Sequence, residues 1–395
     1  MTRLPEVLLG DVVQPVLNWN PQRSGDGSSF QYIDLSSVDQ DTKVITAARS
    51  INCTDAPSRA RQLVAAGDVL VSTVRPNLNG VAVVLPEMDG ATASTGFCVL
   101  RPNPDCLDSR FLFYWVRSPR FIDSMVRQAT GASYPAITDR TVLSSSIYLP
   151  PLAEQRRIAD LLDRADVLRN KRLATIDQLD TLARSIFLDT FEKFLSAPPD
   201  VTLNDIAEPV RGSFVNGPFG SNLLTSELVP EGVPVIYIRD IRGGEYVRVS
   251  AVCVTPAKAR QLAVCSVRPG DVLVAKVGDP PGVAAVYPPE GPEAVVTQDV
   301  IRIRVSDTRS YPAFVSAYLN SEYGKRAIAG ITVEATRSRF SLRDFKRITI
   351  PLPPLSLQAD FAARIAAVET MREKARVSVK QFDALFASLI HNAFG

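Results

Sequence analysis

The 395-residue chain contains one histidine, His391, and five cysteines, none of which forms a CxxC pair. His391 stands four residues from the C-terminus in an apolar-periodic stretch, so it reads as a helix-surface residue. Any Ser-His-Asp or Cys-His catalytic arrangement within one chain would have to use it. Cys53, Cys98, Cys106, Cys253 and Cys265 are an odd set without metal-ligand spacing, which argues against a disulfide framework and a structural zinc site. They read as buried, reduced thiols. No apolar run approaches the roughly 18 residues that span a bilayer. The start, "MTRLPEVLLGDVVQ", has no apolar signal region, so a cytoplasmic location without membrane association is expected. The nucleotide, zinc-protease and hydrolase signatures GxxxxGK[ST], HExxH and GxSxG are missing, as is the Asn-Pro-Pro-aromatic tetrapeptide of adenine methyltransferases. The reading is therefore of a chain with no catalytic residues, no metal site and no cofactor of its own. A net charge of +2 is too small to make the whole chain a nonspecific polyanion binder.

What the chain does have is a long internal repeat. Pro150–Phe191 aligns without a gap on Pro353–Phe394, at an offset of 203 residues. Gln155 falls on Gln358, Arg169 on Arg372, Lys171 on Lys374, Asp180 on Asp383 and Ser185 on Ser388. The offset persists upstream. "GDVLVSTVRP" from Gly67 matches "GDVLVAKVGD" from Gly270, and Phe111 and Trp115 fall on Phe314 and Tyr318. Each half is thus a variable module of about 150 residues followed by a tail of about 40. The tails lack Gly and Pro between Ala153 and Ala197 and between Leu355 and Phe394, and their apolar residues recur at threes and fours. That period predicts helices, each about 60 Å long at 1.5 Å per residue. Helices this long have an apolar stripe to bury. Antiparallel, coiled-coil-like pairing of the two is the favoured reading over each folding back on its own module.

The modules themselves read as α+β. Short apolar runs such as "GDVLVSTV", "GVAVVL", "VPVIYIRDI" and "VIRIRV" are bounded by Gly, Pro, Asn and Asp, which suits strands, and "SRFLFYWVRSPRFIDSMVRQA" is helical. The expected partition is residues 1–150 as the first module and 151–197 as a central helix. Residues 198–352 then form the second module and 353–395 a C-terminal helix. Glycines Gly67 and Gly270 read as turns, and "VNGPFGSNL" as a loop, since it lacks a phosphate-loop lysine. Residues 325–347 hold seven basic residues against two acidic ones. Within them Arg337, Ser338, Arg339 and Arg343 have the chemistry to meet phosphates and base edges. The register-equivalent stretch of the first module offers Ser133, Tyr134 and Arg140. Arg75, Asn77 and Asn79 lie in the loop "STVRPNLNG", and Lys276 follows the matching strand of the second module. An ordinary solvated basic face competes with this reading.

Together these features resemble the DNA-specificity (S) subunits of type I restriction–modification systems, over nearly the whole chain. The resemblance is carried by "LPPLAEQRRIADLLDRAD" and "PLPPLSLQADFAARI", each opening a long helix after a variable module. "STVRPNLNGVAVV" and "ATGASYPAIT" in the first module add to it, as do "GPFGSNL" and "GVPVIYIRDI" in the second. It implies that each module is a target-recognition domain for one half of a split, asymmetric double-stranded DNA target. It further implies that two methyltransferase subunits bind this chain and bring S-adenosylmethionine, and that restriction subunits can join. The helix residues at which partner docking or spacer packing is expected are Pro151, Leu152, Gln155, Ile158 and Leu162, with Pro354, Leu355, Gln358, Phe361 and Ile365 in the second copy. Glu154 is replaced by Leu357 there, so the two partner sites would not be equivalent. The competing functions are a methyltransferase or nuclease with a degenerate motif, and a protein–protein scaffold that uses the helix pair as a ruler without reading DNA.

Overall fold

The computed structural model describes residues 6–23, 28–199, 201–218, 222–334 and 336–395. Part of the "GPFGSNL" motif, positions 219–221, lies outside these. The internal repeat is also a repeat of structure, down to strand register. In the first module Val69–Ser72 pairs antiparallel with Val81–Val83 and Phe97–Pro102, and Val13–Gln14 completes a four-stranded sheet. In the second, Val272–Ala275 pairs with Ala284–Val286 and Val300–Ile303, and Phe214–Asn216 takes the fourth place. Val69 faces Val83 and Leu100, and Val272 faces Val286 and Ile303, a shift of 203 residues throughout. Each module adds a second sheet built around one parallel pair, Ser29–Ile33 with Thr92–Ser94 and Val233–Ile236 with Ala294–Val296.

The turn entering the matched strands explains why "GD" is repeated. Gly67 and Gly270 sit at φ of 87° and 84°, where a side chain would be strained. The next residue folds back: Asp68 accepts from the Ala65 N–H at 2.8 Å and Asp271 from the Arg268 N–H at 2.9 Å. Each aspartate is also gripped by an arginine in, or just after, the neighbouring strand. Arg101 donates Nε and Nη2 to Asp68 at 2.9 and 2.7 Å, and Arg304 does the same to Asp271 at 2.9 and 2.9 Å. Two parallel N–H···O bonds to a buried carboxylate tie the two central strands of the sheet together at one end in both modules.

The expected helices run Leu152–Leu195 and Leu355–Phe394. The chain divides into two compact units, Met1–Ala174 with Ala375–Gly395, and Thr175–Lys374. Each long helix therefore runs unbroken from one unit into the other. Within the first unit, Ala159 and Leu162 of the central helix and Ile390 and Phe394 of the terminal helix join the core formed by Phe111, Leu112 and Trp115. Within the second, Phe187, Phe191 and Phe361 join Phe314, Val315 and Tyr318. The choice between a helix spacer and helices folded onto their modules is thus not exclusive, because each helix packs on module residues near its start and again near its end.

Both units show the two helices running antiparallel. Arg169 pairs with Asp383 at 2.5 Å in the first unit, and Arg372 with Asp180 at 2.8 Å in the second. The repeat offset carries one pair onto the other. Likewise, the rings of Phe111 and Phe394 stand 5.1 Å apart, and those of Phe314 and Phe191 4.9 Å apart. The internal symmetry thus extends to individual ion pairs and ring contacts.

Candidate nucleic-acid interface

In the first module the chain leaves the strand Val69–Ser72 through Thr73 and Val74 into a 3-10 turn, Pro76–Leu78. A second loop, 130–137, comes alongside. Val74 and Thr130 both bridge to Ala136, and the Arg75 N–H donates to the Pro135 carbonyl at 2.7 Å. The turn is flanked by two residues that are not glycine yet have positive φ, Arg75 at 51° and Asn79 at 46°. A non-glycine residue in that region costs roughly a kcal/mol or more and is held there by its surroundings. The result is an exposed tip in which the Arg75 guanidinium lies 4.7 Å from the centre of the Tyr134 ring. Tyr134 is 69% exposed, and Asn77, Ser133 and Arg140 are exposed as well.

The second module repeats this device at the same offset. Val277 and Val333 bridge to Arg339, and the Gly278 N–H donates to the Ser338 carbonyl at 3.1 Å. Arg337, Arg339 and Arg343 are exposed. Among the described residues no carboxylate pairs with any of the three. The rest of the basic run is dispersed: Lys325 pairs with Glu322 at 2.9 Å, and Lys346 lies over the Phe214 ring. Lys276 is half-buried, with its backbone N–H bonded to the Asp299 carbonyl at 2.8 Å.

Two groups of expected site residues prove to work inside the fold. The Asn79 amide donates to the Val116 carbonyl at 2.9 Å, and the Asn79 carbonyl accepts from Lys43 Nζ at 2.6 Å, so Asn79 shapes the turn from within. Burial, with the Arg117 guanidinium nearby, brings the Lys43 ammonium down to about 8. Gln155 and Gln358 are fully buried. Gln155 Oε1 accepts from the Asp108 N–H at 2.9 Å, and its Nε2 donates to the carbonyls of Cys106 and Pro150 at 2.8 and 2.7 Å. Gln358 accepts from Ser310 Oγ and the Tyr311 N–H and donates to the Pro353 carbonyl. These amides anchor each helix start to its own module and do not face outward. Leu162 and Phe361 are buried, Ile158 and Ile365 partly so. Of the expected docking residues, Pro151, Pro354 and Leu355 are exposed, and Leu152 is intermediate.

The helix attachments also differ in ways the sequence did not announce. In the first unit Arg110 reaches Asp160 and Asp163 at 2.7 and 2.8 Å, and Arg117 reaches Asp166 at 2.6 Å. Tyr114 donates to Asp163 at 2.6 Å, and burial and that bond push its phenol well above the usual range. In the second unit the corresponding positions are Ala313, Asn320 and Ala317, and the attachment is a cluster of phenylalanines. Arg372, 6% exposed, is held there by Asp180, Glu245 and Glu369 together. Among the described residues no group of three or more His, Cys, Asp or Glu side chains is placed to hold a metal ion, and no helix is long and apolar enough to cross a membrane.

The class that emerges is an α+β protein of two repeated modules joined by two long antiparallel helices, with one exposed loop pair per module. Comparison with known proteins shows what the chain is similar to. Residues 39–178 match the Type I restriction modification DNA specificity domain. The chain is 27% identical over 145 residues to the Type I restriction enzyme HindI specificity subunit of Haemophilus influenzae, across 36% of this chain and 32% of that protein. It is 21% identical over 329 residues to the EcoBI specificity subunit of Escherichia coli, across 75% of this chain and 67% of that one. The match thus spans about a third of the HindI relative's length. A solved chain from work on complex assembly and conformational transition of the type I R-M system covers all of this chain, with a TM-score of 0.59 and 25% identity. The type I S subunit of M. genitalium shares the fold, with a TM-score of 0.59 at 15% identity. The chain thus resembles type I restriction–modification specificity subunits in sequence and in fold.

Proposed function

We propose that this chain is the non-catalytic DNA-recognition subunit of a type I restriction–modification complex, reading a split, asymmetric double-stranded target with one module per half. The observation that carries this reading is the loop pair present twice in the same register with different side chains at its tips. A repeated scaffold with divergent tips is what two unlike half-sites require. Exposed arginines at both tips supply phosphate and base contacts, since guanidinium groups can do either. The modest net charge is adequate if partner subunits complete the grip on DNA.

Two methyltransferase subunits, carrying S-adenosylmethionine, would dock on the long helices, and restriction subunits could add to that assembly. The exposed Pro151, Pro354 and Leu355 are where docking would begin. The complex would act on host DNA in the cytoplasm. The near-equivalence of the two units supports two similar docking sites, and the exchange of Glu154 for Leu357 makes them unequal. Glu154 pairs with Arg157 at 2.6 Å on the surface, whereas Leu357 packs on the core.

The test is to purify the chain with its methyltransferase partner and measure binding to duplex DNA. Sequence-specific binding and methylation by the complex, with neither activity in the isolated chain, is the expected result. A complex that assembles but never binds DNA selectively would favour the scaffold function. Inserting four residues between Thr175 and Ile176, about one helical turn, should change the spacing between the two half-sites or block assembly. An unchanged target would contradict the spacer role.

A further inference from the structure

The internal repeat aligns the two loop pairs residue by residue, and so separates what they share from what they do not. Resting on the DNA-recognition reading above, we propose that Arg140 and Arg343 hold backbone phosphates in both half-sites, while Arg337 and Arg339 read guanine bases in the second half-site alone.

The shared positions come first. Arg140 falls on Arg343, each the second residue of a short helix capped by a hydroxyl, Thr138 to the Thr141 N–H and Ser341 to the Asp344 N–H. Both arginines are exposed. An arginine kept at one place in two modules that face unlike sequences serves a job common to both. On DNA that common element is the phosphate backbone. The positions that differ sit on the hairpin before that helix. Tyr134 is replaced by Arg337 and Ala136 by Arg339, while the bridges that hold the hairpin are unchanged. Arg75, whose guanidinium covers Tyr134 in the first module, is replaced by Gly278. The second tip therefore exchanges an aromatic ring with one stacked arginine for two arginines spaced two residues apart. Arg337 stands in a bend and Arg339 at the bridge that follows, both exposed, and among the described residues no carboxylate occupies either guanidinium. A guanidinium fork free of carboxylates matches the O6 and N7 acceptors of guanine in the major groove, the commonest specific pairing of arginine with a base. Alanine and tyrosine at these positions of the first tip cannot make that bidentate bond, and the arginine there, Arg75, lies against the Tyr134 ring, so the first half-site would be read by different contacts.

The experiment uses the assembled complex with its methyltransferase partner. The probes are duplexes carrying the motif found methylated in host DNA, with every base pair of both half-sites substituted in turn. For R337A and R339A the expected result is loss of discrimination at one or two G·C pairs of the second half-site, by roughly 5- to 150-fold each, with the first half-site read as before. R337K and R339K keep the charge and lose the fork, so they should retain binding while losing the same discrimination. For R140A and R343A the expectation is weaker binding to every sequence and a salt dependence shallower by about one unit of log–log slope. A uniform loss without change of base preference in R337A and R339A would overturn guanine reading and leave the DNA interface standing. Binding and preference unchanged in all four alanine variants would place the hairpins away from DNA and bring down the interface itself. Melting temperatures of the lysine variants separate these outcomes from misfolding.

Discussion

The two units use the same two helices and the same loop pair, but each module is fastened to the helices differently. The first is fastened by charge: Arg110, Tyr114 and Arg117 reach Asp160, Asp163 and Asp166, with the Arg117 guanidinium also lying 4.6 Å from the Phe386 ring centre. The second is fastened by rings, Phe187 and Phe191 against Phe314 and Phe361. What is identical in both is the anchor at the helix start, Gln155 or Gln358. The lesson is that a duplicated fold keeps the buried polar anchor that sets helix position, while the surrounding attachment changes its chemistry.

This comparison can be sharpened by substitution. The largest effect should come from Phe314→Ala, which empties the centre of the second unit's ring cluster and should cost about 3–5 kcal/mol. Phe111→Ala should cost less, because fewer rings surround it; equal losses by chemical denaturation would break the contrast. Gln155→Ala and Gln358→Ala should each cost about 2–3 kcal/mol, by leaving buried donors and acceptors unmet. Here the expectation is equality, and a large difference between them would deny the anchors a common role. Arg372→Ala should cost about 2 kcal/mol, since its nearly buried guanidinium is matched by three partly exposed carboxylates. Arg169→Ala, at a partly exposed pair, should cost about 1 kcal/mol or less. The smallest effect concerns Lys43. Its ammonium falls from 10.5 in the unfolded chain to about 8 in the folded one, so folding disfavours the charged form. The penalty is full below pH 8 and is relieved as pH rises toward 10.5. Lys43→Met should therefore raise the melting temperature most at pH 7 and hardly at all near pH 10.5. A gain that does not depend on pH would show that packing, and not charge, is responsible.

Much of this architecture was legible in the sequence because helix periodicity and the 203-residue offset are signals spread over many residues. The helices, the strand "GDVLV" with its left-handed glycine, and the pairing of Phe111 with Phe314 as equivalent core positions all follow from that pattern. The loop pair was half legible. Its residues were named from composition, but nothing local indicates that Val74 meets Ala136, or that Asn79 spends its amide on the Val116 carbonyl. Gln155 and Gln358 stand out in the sequence because they repeat, and repetition does not tell a buried anchor from a docking residue. The grip of Arg101 on Asp68 and of Arg304 on Asp271 was missed, although both partners recur at the same offset and could have been found by pairing repeated opposite charges. Glu245 reaching Arg372 had no signal at all, since it joins a hairpin to a helix 127 residues away.

Under the proposed function, this chain would choose the DNA sequence at which a partner methylates. Single-molecule modification sequencing of host DNA, with and without the gene for this chain, tests it most directly. The account predicts loss of a split, asymmetric methyladenine motif on deletion. An unchanged methylome, with the partner methyltransferase shown to be expressed, would contradict it.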